Sequence, residues 1–321
     1  MYSAKKQRCL IYGGGGFIGS HLAEELLHKG YIVRIFEIKN FNKSNISHLL
    51  NSVEIIEGDF NNRVDIKSSL HKVDFVFHLI SSTNPSVSMA NPLFDIETNL
   101  ISSVNLLQEC TNIKSIKKLV FISSGGTVYG IPQKIPITEN HPTIPICSYG
   151  IIKNTIEHYC NLYSRLYGLN CNIFRISNPY GERQNPYGKQ GVIPIFLNKI
   201  LSHQDIEIWG DGEIIRDYVY IKDVTKLLVK SIEIETENLI YNIGSGQGLS
   251  LNQLLMIMRE ITNLDTRIKY IKARSFDVPC NILDITLAKN DFLWEPKVDI
   301  KQGLALVYIY LIKTYFSPIN E

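Results

Sequence analysis

The chain has 321 residues, of which 45% are hydrophobic and 20% are charged, and its formal net charge is +2. That length is enough to bury a substantial core, in one large domain or in two lobes. The scattered basic residues and the small net charge argue against binding of nucleic acid or of an anionic membrane surface.

The cysteine pattern and the two ends of the chain predict a cytoplasmic protein. The six cysteines form no Cys-x-x-Cys pair and no histidine cluster accompanies them, so we expect reduced, buried thiols and no metal site. Residues 1–8 lack the apolar core of a signal peptide. The apolar stretch 304–316 is interrupted by Lys313 and is too short to span a bilayer, which favours a packed C-terminal helix.

The beginning of the chain predicts a strand, a glycine turn, a helix and a second strand that ends on Glu37. Gly13 can adopt the backbone of a tight turn, Gly16 leaves room for a pyrophosphate, and Gly19 lets the helix pack close to the sheet. The helix N-terminus offers amide groups to the phosphates, and a carboxylate can accept both ribose hydroxyls of an adenosine. This order predicts a dinucleotide site, and the charge of Glu37 favours NAD over NADP.

Strand-like and helix-like segments alternate through the first half of the chain, which predicts an α/β fold with a doubly wound parallel sheet. Further strands are predicted at 53–59, 73–80, 118–123 and 170–177, and helices at 92–111 and 148–168, with a polar loop at 81–92. The alternation then stops, and shorter pieces follow: helices at 192–201, 223–232 and 250–262, and strands at 206–209, 218–220 and 268–271.

Two lobes are predicted from this change of pattern. Residues 1–180 form the dinucleotide-binding domain, and residues 181–321 form a smaller, interleaved C-terminal lobe that covers the ligand edge of the sheet. Residues 210–245 are predicted to return in part to the first domain.

Asp59 and Phe60 follow the third strand. Asp59 could accept a hydrogen bond from the exocyclic amine of an adenine, with Phe60 contributing its backbone. A turn aspartate beside a buried phenylalanine explains the same two residues.

Tyr149 and Lys153 lie four residues apart on a predicted helix and therefore share one face. A phenol has an ordinary pKa of about 10, which makes it a poor base at neutral pH. A nearby ammonium and a cationic nicotinamide both favour the phenolate, so we expect the pKa of Tyr149 to be lowered. A surface pair is the alternative, since this spacing occurs often by chance.

Ten stretches spread nearly from end to end resemble the extended short-chain dehydrogenase/reductase family, and within it the nucleotide-sugar epimerases and dehydratases. They are GGGGFIGS, EGDF, ETNLISSVNLL, FISSGGTVYG, SYGIIK, RISNPYGERQ, GVIP, WGDGEIIRDYVYIKDV, YNIGSG and ARSFDVP. The resemblance implies a Rossmann domain, NAD as the cofactor and a nucleotide-diphosphate sugar, with a UDP-hexose favoured, as the substrate.

The resemblance also implies roles for single residues. Tyr149 would be the acid/base and Lys153 its partner, and both would also contact the cofactor. Further cofactor contacts are implied for Gly13, Gly16, Phe17, Ile18, Gly19, Glu37, Asp59, Phe60 and Asn99. Substrate contacts are implied for Asn178, Val192, Arg216, Arg274 and Asp277. The two arginines would clamp the diphosphate. Local ion pairs are the alternative explanation for these charged residues: Arg216 with Asp217, and Arg274 with Asp277.

The loop FISSGGTVYG departs from the family pattern in two ways. Relatives place a serine or threonine where this chain has Gly125, so Ser124 or Thr127 would have to supply the hydroxyl to the reacting sugar. A 4,6-dehydratase would carry an Asp-Glu pair at positions 126 and 127, where this chain has Gly126 and Thr127.

These features predict an NAD-dependent 4-epimerase that inverts C4 of a nucleotide-diphosphate sugar through a transient 4-keto intermediate. An NAD(P)H-dependent reductase of a 4-keto nucleotide sugar is the alternative, and a non-catalytic dinucleotide-sensing protein is another. By resemblance we expect a homodimer in which the helices that hold Asn99 and Tyr149 pair across a twofold axis. Ile101, Val104 and Leu107 permit such pairing, although packing within one chain explains them as well.

Overall fold

The computed structural model describes residues 6–188, 190–273 and 278–316. Their strands are β1 (Arg8–Tyr12), β2 (Ile32–Glu37), β3 (Glu54–Glu57), β4 (Phe75–His78), β5 (Lys118–Ser124), β6 (Cys171–Ile176), β7 (Asn178–Tyr180), β8 (Ile206–Trp209), β9 (Ile215–Tyr220), β10 (Ile240–Ile243), β11 (Gly248–Ser250), β12 (Ile268–Ile271) and β13 (Cys280–Asn281). Their α-helices are α1 (Phe17–His28), α2 (Arg63–Ser69), α3 (Pro85–Ala90), α4 (Pro92–Asp95), α5 (Ser102–Thr111), α6 (Ser148–Tyr167), α7 (Val192–Leu201), α8 (Ile221–Glu233), α9 (Leu251–Thr262), α10 (Thr286–Phe292) and α11 (Ile300–Leu311). A 3₁₀ segment covers Ser44–Leu49, and π-helical turns cover Ile96–Ile101 and Ile312–Phe316.

A seven-stranded sheet with the order β10-β6-β5-β4-β1-β2-β3 confirms the predicted doubly wound α/β fold. Strand β4 is buried along its whole length, as its continuous apolar run predicted. Helices α2, α5 and α6 pack apolar side chains such as Ile66, Leu107 and Ile156 onto the sheet, and α1 buries Leu22 and Leu26.

The parallel register brings several strand ends to one edge of the sheet. Tyr12 at the end of β1 lies opposite Phe36 of β2 and His78 of β4, and His78 lies opposite Phe121 of β5. The glycine turn after β1, the loop after β4 and the loop after β5 therefore leave the sheet side by side. In open α/β sheets this carboxyl edge is where ligands bind.

Two predictions about local structure are wrong. The polar loop predicted at 81–92 contains helix α3, because Asn84 caps it by accepting hydrogen bonds from the amides of Ser86 and Val87, and Pro85 occupies its first position. The single helix predicted at 92–111 is divided by the π-helical turn at Ile96–Ile101. The cap pattern was present in the sequence, whereas nothing in the periodicity marks the π turn.

Strand β10 was not predicted, although it forms one edge of the large sheet. It is only four residues long, and its partners are distant in sequence: β6 in the sheet and the Glu139 side chain, which accepts a hydrogen bond from the Asn242 amide at 2.8 Å. Such short strands depend on tertiary context more than on local sequence.

The chain divides into two compact units that interleave in sequence. The first takes the chain up to Gly130, Pro142–Arg175 and Thr225–Tyr241. The second takes Ile131–His141, Ile176–Val224 and the chain from Asn242 onward.

The second unit carries the two smaller sheets of the C-terminal lobe. In one of them β9 is flanked by β11 and β13 and also pairs with β7, and in the other β8 pairs with β12. All six cysteines are free thiols, and only Cys280 is not buried. Among the described helices, none is long and apolar enough to cross a membrane.

Candidate active site

The glycine turn after β1 is held by close backbone packing. Gly13 has a φ of +85°, in the left-handed region that favours glycine. The amide of Gly16 donates to the Gly13 carbonyl oxygen at 3.2 Å. A Cβ built on Gly19 would lie 2.2 Å from that same oxygen, so helix α1 can approach the turn only because position 19 has no side chain.

The start of helix α1 leaves its first amides without a capping side chain. Gly16 occupies the N-cap position, so no side-chain oxygen competes for the first-turn amides, which include those of Phe17 and Ile18. Glu37 lies beside this turn and accepts a hydrogen bond from the Gly15 amide at 2.9 Å. Burial raises the pKa of Glu37. Open amides for a pyrophosphate and a carboxylate for a ribose make this a cradle that fits NAD.

Asp59 and Phe60 adopt the arrangement of a turn aspartate beside a buried phenylalanine. Asp59 is exposed and accepts a hydrogen bond from the Asn61 amide at 2.8 Å. The ring of Phe60 packs between those of Tyr12, at 5.3 Å, and His78, at 5.1 Å. A contact of these residues with adenine stays a prediction.

Tyr149 and Lys153 occupy one face of helix α6 and contact each other, so they are not a surface pair. The ammonium of Lys153 lies 5.7 Å from the centre of the Tyr149 ring and donates to the Ile122 carbonyl oxygen at 2.9 Å. Lys153 is 5% exposed, and burial lowers its pKa to about 8, against the opposing influence of the Asp95 and Glu157 carboxylates.

The pKa of Tyr149 is raised to about 12 in the protein alone, mainly by burial and against the lowering effect of a hydrogen bond with Ser81. The predicted lowering of this pKa included the charge of a nicotinamide, so it stays a prediction for the protein with NAD bound. Burial outweighs the hydrogen bond with Ser81, and positive charge beside the phenol is needed to favour the phenolate.

A cluster around Asp95 fixes the position of Asn99. One oxygen of Asp95 accepts hydrogen bonds from Thr83 at 2.7 Å and from the Asn99 amide at 2.9 Å, and the other accepts one from Ser148 at 3.0 Å. The side-chain oxygen of Asn99 accepts from the Ser82 amide at 2.8 Å. Sequence reasoning selected Asn99 but missed Asp95, which joins the loop after β4 to the residue before Tyr149.

The loop after β5 presents two hydroxyls next to the buried Gly125. Ser124 is half-buried, and its carbonyl oxygen accepts from the amides of Thr127, at 3.2 Å, and Val128, at 3.1 Å. The Thr127 hydroxyl is enclosed, and no hydrogen-bonding partner for it is found among the described residues. An enclosed hydroxyl of this kind is available to a bound polar atom.

The predicted substrate residues that the structure describes lie in the second unit. Asn178 donates to the Asp217 carbonyl oxygen at 2.9 Å, which ties β7 to β9. Arg216 donates to the Val278 carbonyl oxygen at 2.6 Å. Val192 begins helix α7, whose N-cap residue, Gly191, provides no side-chain cap. Arg274 and Asp277 lie outside the described residues.

Asp217 is the residue of this lobe that sequence reasoning undervalued. It is fully buried and accepts hydrogen bonds from the amides of Ser245 at 2.7 Å, Gly246 at 3.3 Å and Leu283 at 3.2 Å. A Cβ on Gly244 would lie 2.3 Å from its carboxylate. Asp217 therefore organises the YNIGSG turn, and the glycines of that motif were the available signal.

The chain is similar to known proteins over most of its length. Residues 9–244 match the model of the NAD dependent epimerase/dehydratase family. The chain is 39% identical over 300 residues to a Methanocaldococcus jannaschii protein assigned provisionally as UDP-glucose 4-epimerase, covering 93% of this chain and 96% of the relative. It is 34% identical over 312 residues to a dTDP-4-dehydro-6-deoxyglucose reductase of Escherichia coli, covering 94% and 96%.

The fold is also that of a solved relative. A UDP-glucose 4-epimerase of Thermotoga maritima, in a crystal structure with UDP-glucose, superposes with a TM-score of 0.91 at 36% identity, covering 96% of this chain and 99% of that one. The match over most of the chain, together with the glycine turn and the Tyr149–Lys153 pair, places the chain in the NAD dependent epimerase/dehydratase family, whose cofactor is NAD.

Proposed function

We propose that this enzyme is an NAD-dependent 4-epimerase of a UDP-hexose. The observation that carries the proposal is the pairing of Tyr149 with the buried ammonium of Lys153 next to a loop without carboxylates. The pair provides proton transfer at a sugar hydroxyl. The loop provides nothing that would drive elimination of water afterwards.

NAD bound at the glycine turn would supply a reversible hydride acceptor for C4. Tyr149 takes the proton of the 4-hydroxyl as C4 is oxidised to the ketone, and it returns that proton to O4 when the ketone is reduced on its opposite face. The sugar, which rotates about its diphosphate anchor between the two steps, ends as the C4 epimer with no net redox change. Ser124 or Thr127 hydrogen-bonds O4 in place of the hydroxyl that Gly125 lacks.

The charge of Lys153 has a defined task in this scheme. Burial holds the pKa of Tyr149 at about 12 in the protein alone, so the phenolate needs cationic neighbours. The ammonium of Lys153, 5.7 Å from the ring centre, is one, and the positive nicotinamide of bound NAD would be the other. Both charges favour the base form when the proton has to leave O4.

The second lobe is proposed to hold the nucleotide and the diphosphate. Arg216 and Arg274 are proposed to bind the diphosphate, because guanidinium groups match phosphate oxygens bidentately. Asn178, Val192 and Asp277 are proposed to contact the sugar, the base and the nucleoside ribose. The domain limits proposed with this assignment are 1–180 for cofactor binding and 181–321 for substrate binding, with residues 210–245 returning in part to the first domain.

A homodimer is proposed from the exposed apolar surface of the helices near the site. Ile101, which is 52% exposed, and Ile151, which is 50% exposed, lie on the two helical segments predicted to pair. Leu107 does not belong to this surface, since it is 2% exposed and packs in the core of the first unit. Light scattering at low micromolar concentration should give twice the mass of the chain, and a monomeric mass would exclude the dimer.

The activity is tested with UDP-galactose, UDP-glucose, their N-acetyl analogues and dTDP-6-deoxyhexoses. We expect interconversion of C4 epimers without net consumption of cofactor, and a fall of kcat by about 10³-fold in Tyr149→Phe, in the range of lost general acid–base catalysis. If no sugar changes at C4, and Tyr149→Phe behaves as the wild type, the epimerase proposal is wrong.

A reductase of a 4-keto nucleotide sugar is the second candidate, because the Escherichia coli relative at 34% identity bears the name of such an enzyme. It would use the same tyrosine and lysine with hydride flowing in one direction. Stoichiometric loss of added NADH or NADPH with a 4-keto substrate would favour it over the epimerase.

A further inference from the structure

A buried ion pair lies behind the loop that follows β5, and the chemistry described above does not use it. Arg175 on β6 and Glu157 on α6 face each other with side chains that are 4% and 2% exposed. The Arg175 Nε lies 3.1 Å from both carboxylate oxygens, and its Nη2 donates to Oε2 at 2.6 Å. The pair is therefore bidentate, and its geometry is fixed in distance and in orientation.

Each partner also holds one end of the loop. Ser123, the residue before the loop, donates its hydroxyl hydrogen to Glu157. Tyr129, at the far end, accepts a hydrogen bond from Arg175 Nη1 at 3.0 Å, and the guanidinium lies 4.8 Å from the centre of its ring. Ser124 to Val128, which include both candidate hydroxyls, therefore lie between two anchors on one ion pair.

Helix α6 also contacts the end of β5 and the loop that follows it. Lys153 donates to the Ile122 carbonyl oxygen at 2.9 Å. Gly150 lies so close to the loop that a Cβ on it would be 2.7 Å from the Thr127 carbonyl oxygen. Along one face of the helix, Tyr149 is thus followed by three residues that set its distance to the loop: Gly150, Lys153 and Glu157.

Stability alone does not explain a charged pair at this place. Removing two charges from water costs about as much as their attraction returns, and apolar side chains of similar size often serve as well or better. Apolar residues could not fix the hydroxyl groups of Ser123 and Tyr129 at set positions, because dispersion contacts have little directionality.

We propose that Glu157 and Arg175 are positioning residues, which hold the Ser124–Val128 loop in register with Tyr149 so that its hydroxyl and the phenol meet the same sugar oxygen. The proposal rests on the proposed 4-epimerase function. Glu157 and Arg175 do not touch the substrate in this proposal. They act by placing the groups that do, which are the loop hydroxyl and the phenol of Tyr149.

The test removes the two anchors singly and leaves the ion pair intact, because loss of one charged partner would leave the other buried and unpaired. Ser123→Ala removes the hydroxyl bound to Glu157, and Tyr129→Phe removes the hydroxyl bound to Arg175 but keeps the ring. In each variant we expect kcat for epimerisation to fall by about tenfold and KM to change by less than about twofold, since small misplacements near a reacting centre act mainly on the chemical step.

Ser231→Ala is the matched control, since Ser231 is a fully buried serine of the same unit whose hydroxyl donates to the Leu228 carbonyl oxygen. It should lower thermal stability as much as Ser123→Ala does and leave kcat unchanged. Equal kcat losses in the control and in the two anchor variants would overturn the positioning role.

Amide hydrogen exchange tests the positioning role without measuring epimerisation. In the full-length protein with NAD, the amides of Thr127 and Val128 should exchange faster in Ser123→Ala and Tyr129→Phe than in the wild type, and those of α6 should not. Unchanged exchange in the loop would refute the inference even if the wild type turned over none of the sugars. Faster exchange with no turnover in the wild type would instead refute only the epimerase proposal.

Discussion

Two glycine-rich loops leave the same edge of the sheet, and they are held in place by different means. The turn after β1 is held by its own backbone, with Gly13, Gly16 and Gly19 in contact within a few residues of sequence. The loop after β5 is held at its two ends by side chains from far along the chain, Glu157 and Arg175.

The difference lies in where the constraints on each loop are encoded. Close packing of neighbouring residues leaves a mark at fixed spacing, because any Cβ would collide. Long-range anchors leave no such mark, because their partners can stand at any distance in sequence. The first loop can therefore be recognised as a motif, whereas the second shows its purpose only once the strands and α6 are assembled.

The largest expected effect concerns α6, which lies far along the chain from the loop after β5. Lys153→Met should lower kcat by about 10³-fold with little change of KM, because the phenol then loses its cationic neighbour in a site where burial opposes the phenolate. Steady-state rates with the panel of nucleotide sugars measure it.

Lys118→Met is the control for that variant. Lys118 is also buried, at the beginning of β5, and donates to the carbonyl oxygens of Ser231 at 2.8 Å and Ile234 at 3.1 Å. Its replacement should lower stability and leave kcat unchanged. An equal loss of kcat in both variants would mean that Lys153 acts only through the fold.

Much of the fold was predictable because its signals are local. Continuous apolar runs gave β1, β4 and β6, and periodic apolar positions gave α6 and α7. Strand β10 and the π-helical turn around Asn99 were not predictable in this way. The first takes its hydrogen bonds from a distant strand, and the second buries polar side chains that periodicity counts as exposed.

The residues of the candidate site also differ in whether a local sequence pattern marks them. The glycine turn, Glu37 and the Tyr149–Lys153 spacing could be read in the sequence, since each is a short pattern. Asp95, Glu157 and Arg175 could not, because a single charged residue in a sequence is most often on the surface. The rise of the Tyr149 pKa in the protein alone could not be read from the sequence either, since burial of the phenol is a property of the assembled site.

A second prediction tests the close backbone packing of the turn after β1. Gly19→Ala places a methyl group 2.2 Å from the Gly13 carbonyl oxygen, so the turn has to move. We expect stability to fall by about 2 kcal/mol and the Kd for NAD to rise about 100-fold. Thermal unfolding and calorimetric titration with NAD measure the two quantities.

Gly126→Ala is the matched substitution in the other loop. A Cβ there would meet only the Ser124 hydroxyl, at 4.0 Å, so stability should stay within about 0.5 kcal/mol of the wild type. If both alanine variants unfold at the same temperature, close backbone packing is not what distinguishes the two loops.

The third prediction uses the burial of Lys153. Its pKa is about 8 in the folded protein and ordinarily 10.5, so above pH 8 the unfolded chain binds more protons and stability rises with pH. Between pH 7 and pH 9.5 the wild type should gain about 2 kcal/mol relative to Lys153→Met. Urea unfolding of both proteins across that range measures the difference. Parallel pH profiles would show that the ammonium is not desolvated in solution.

The smallest effect concerns the hydroxyl that replaces the one missing at Gly125. Thr127 is favoured over Ser124, because its hydroxyl is enclosed and without a partner among the described residues, a state that costs free energy unless a ligand hydrogen-bonds it. Thr127→Val keeps the shape and removes that cost, so stability should rise or stay level while kcat falls about tenfold, the value of one hydrogen bond. Ser124→Ala should change kcat by less than about twofold if Thr127 alone contacts the sugar oxygen. The reverse order of the two effects would assign the role to Ser124, which would place the reacting oxygen nearer the end of β5 than the middle of the loop.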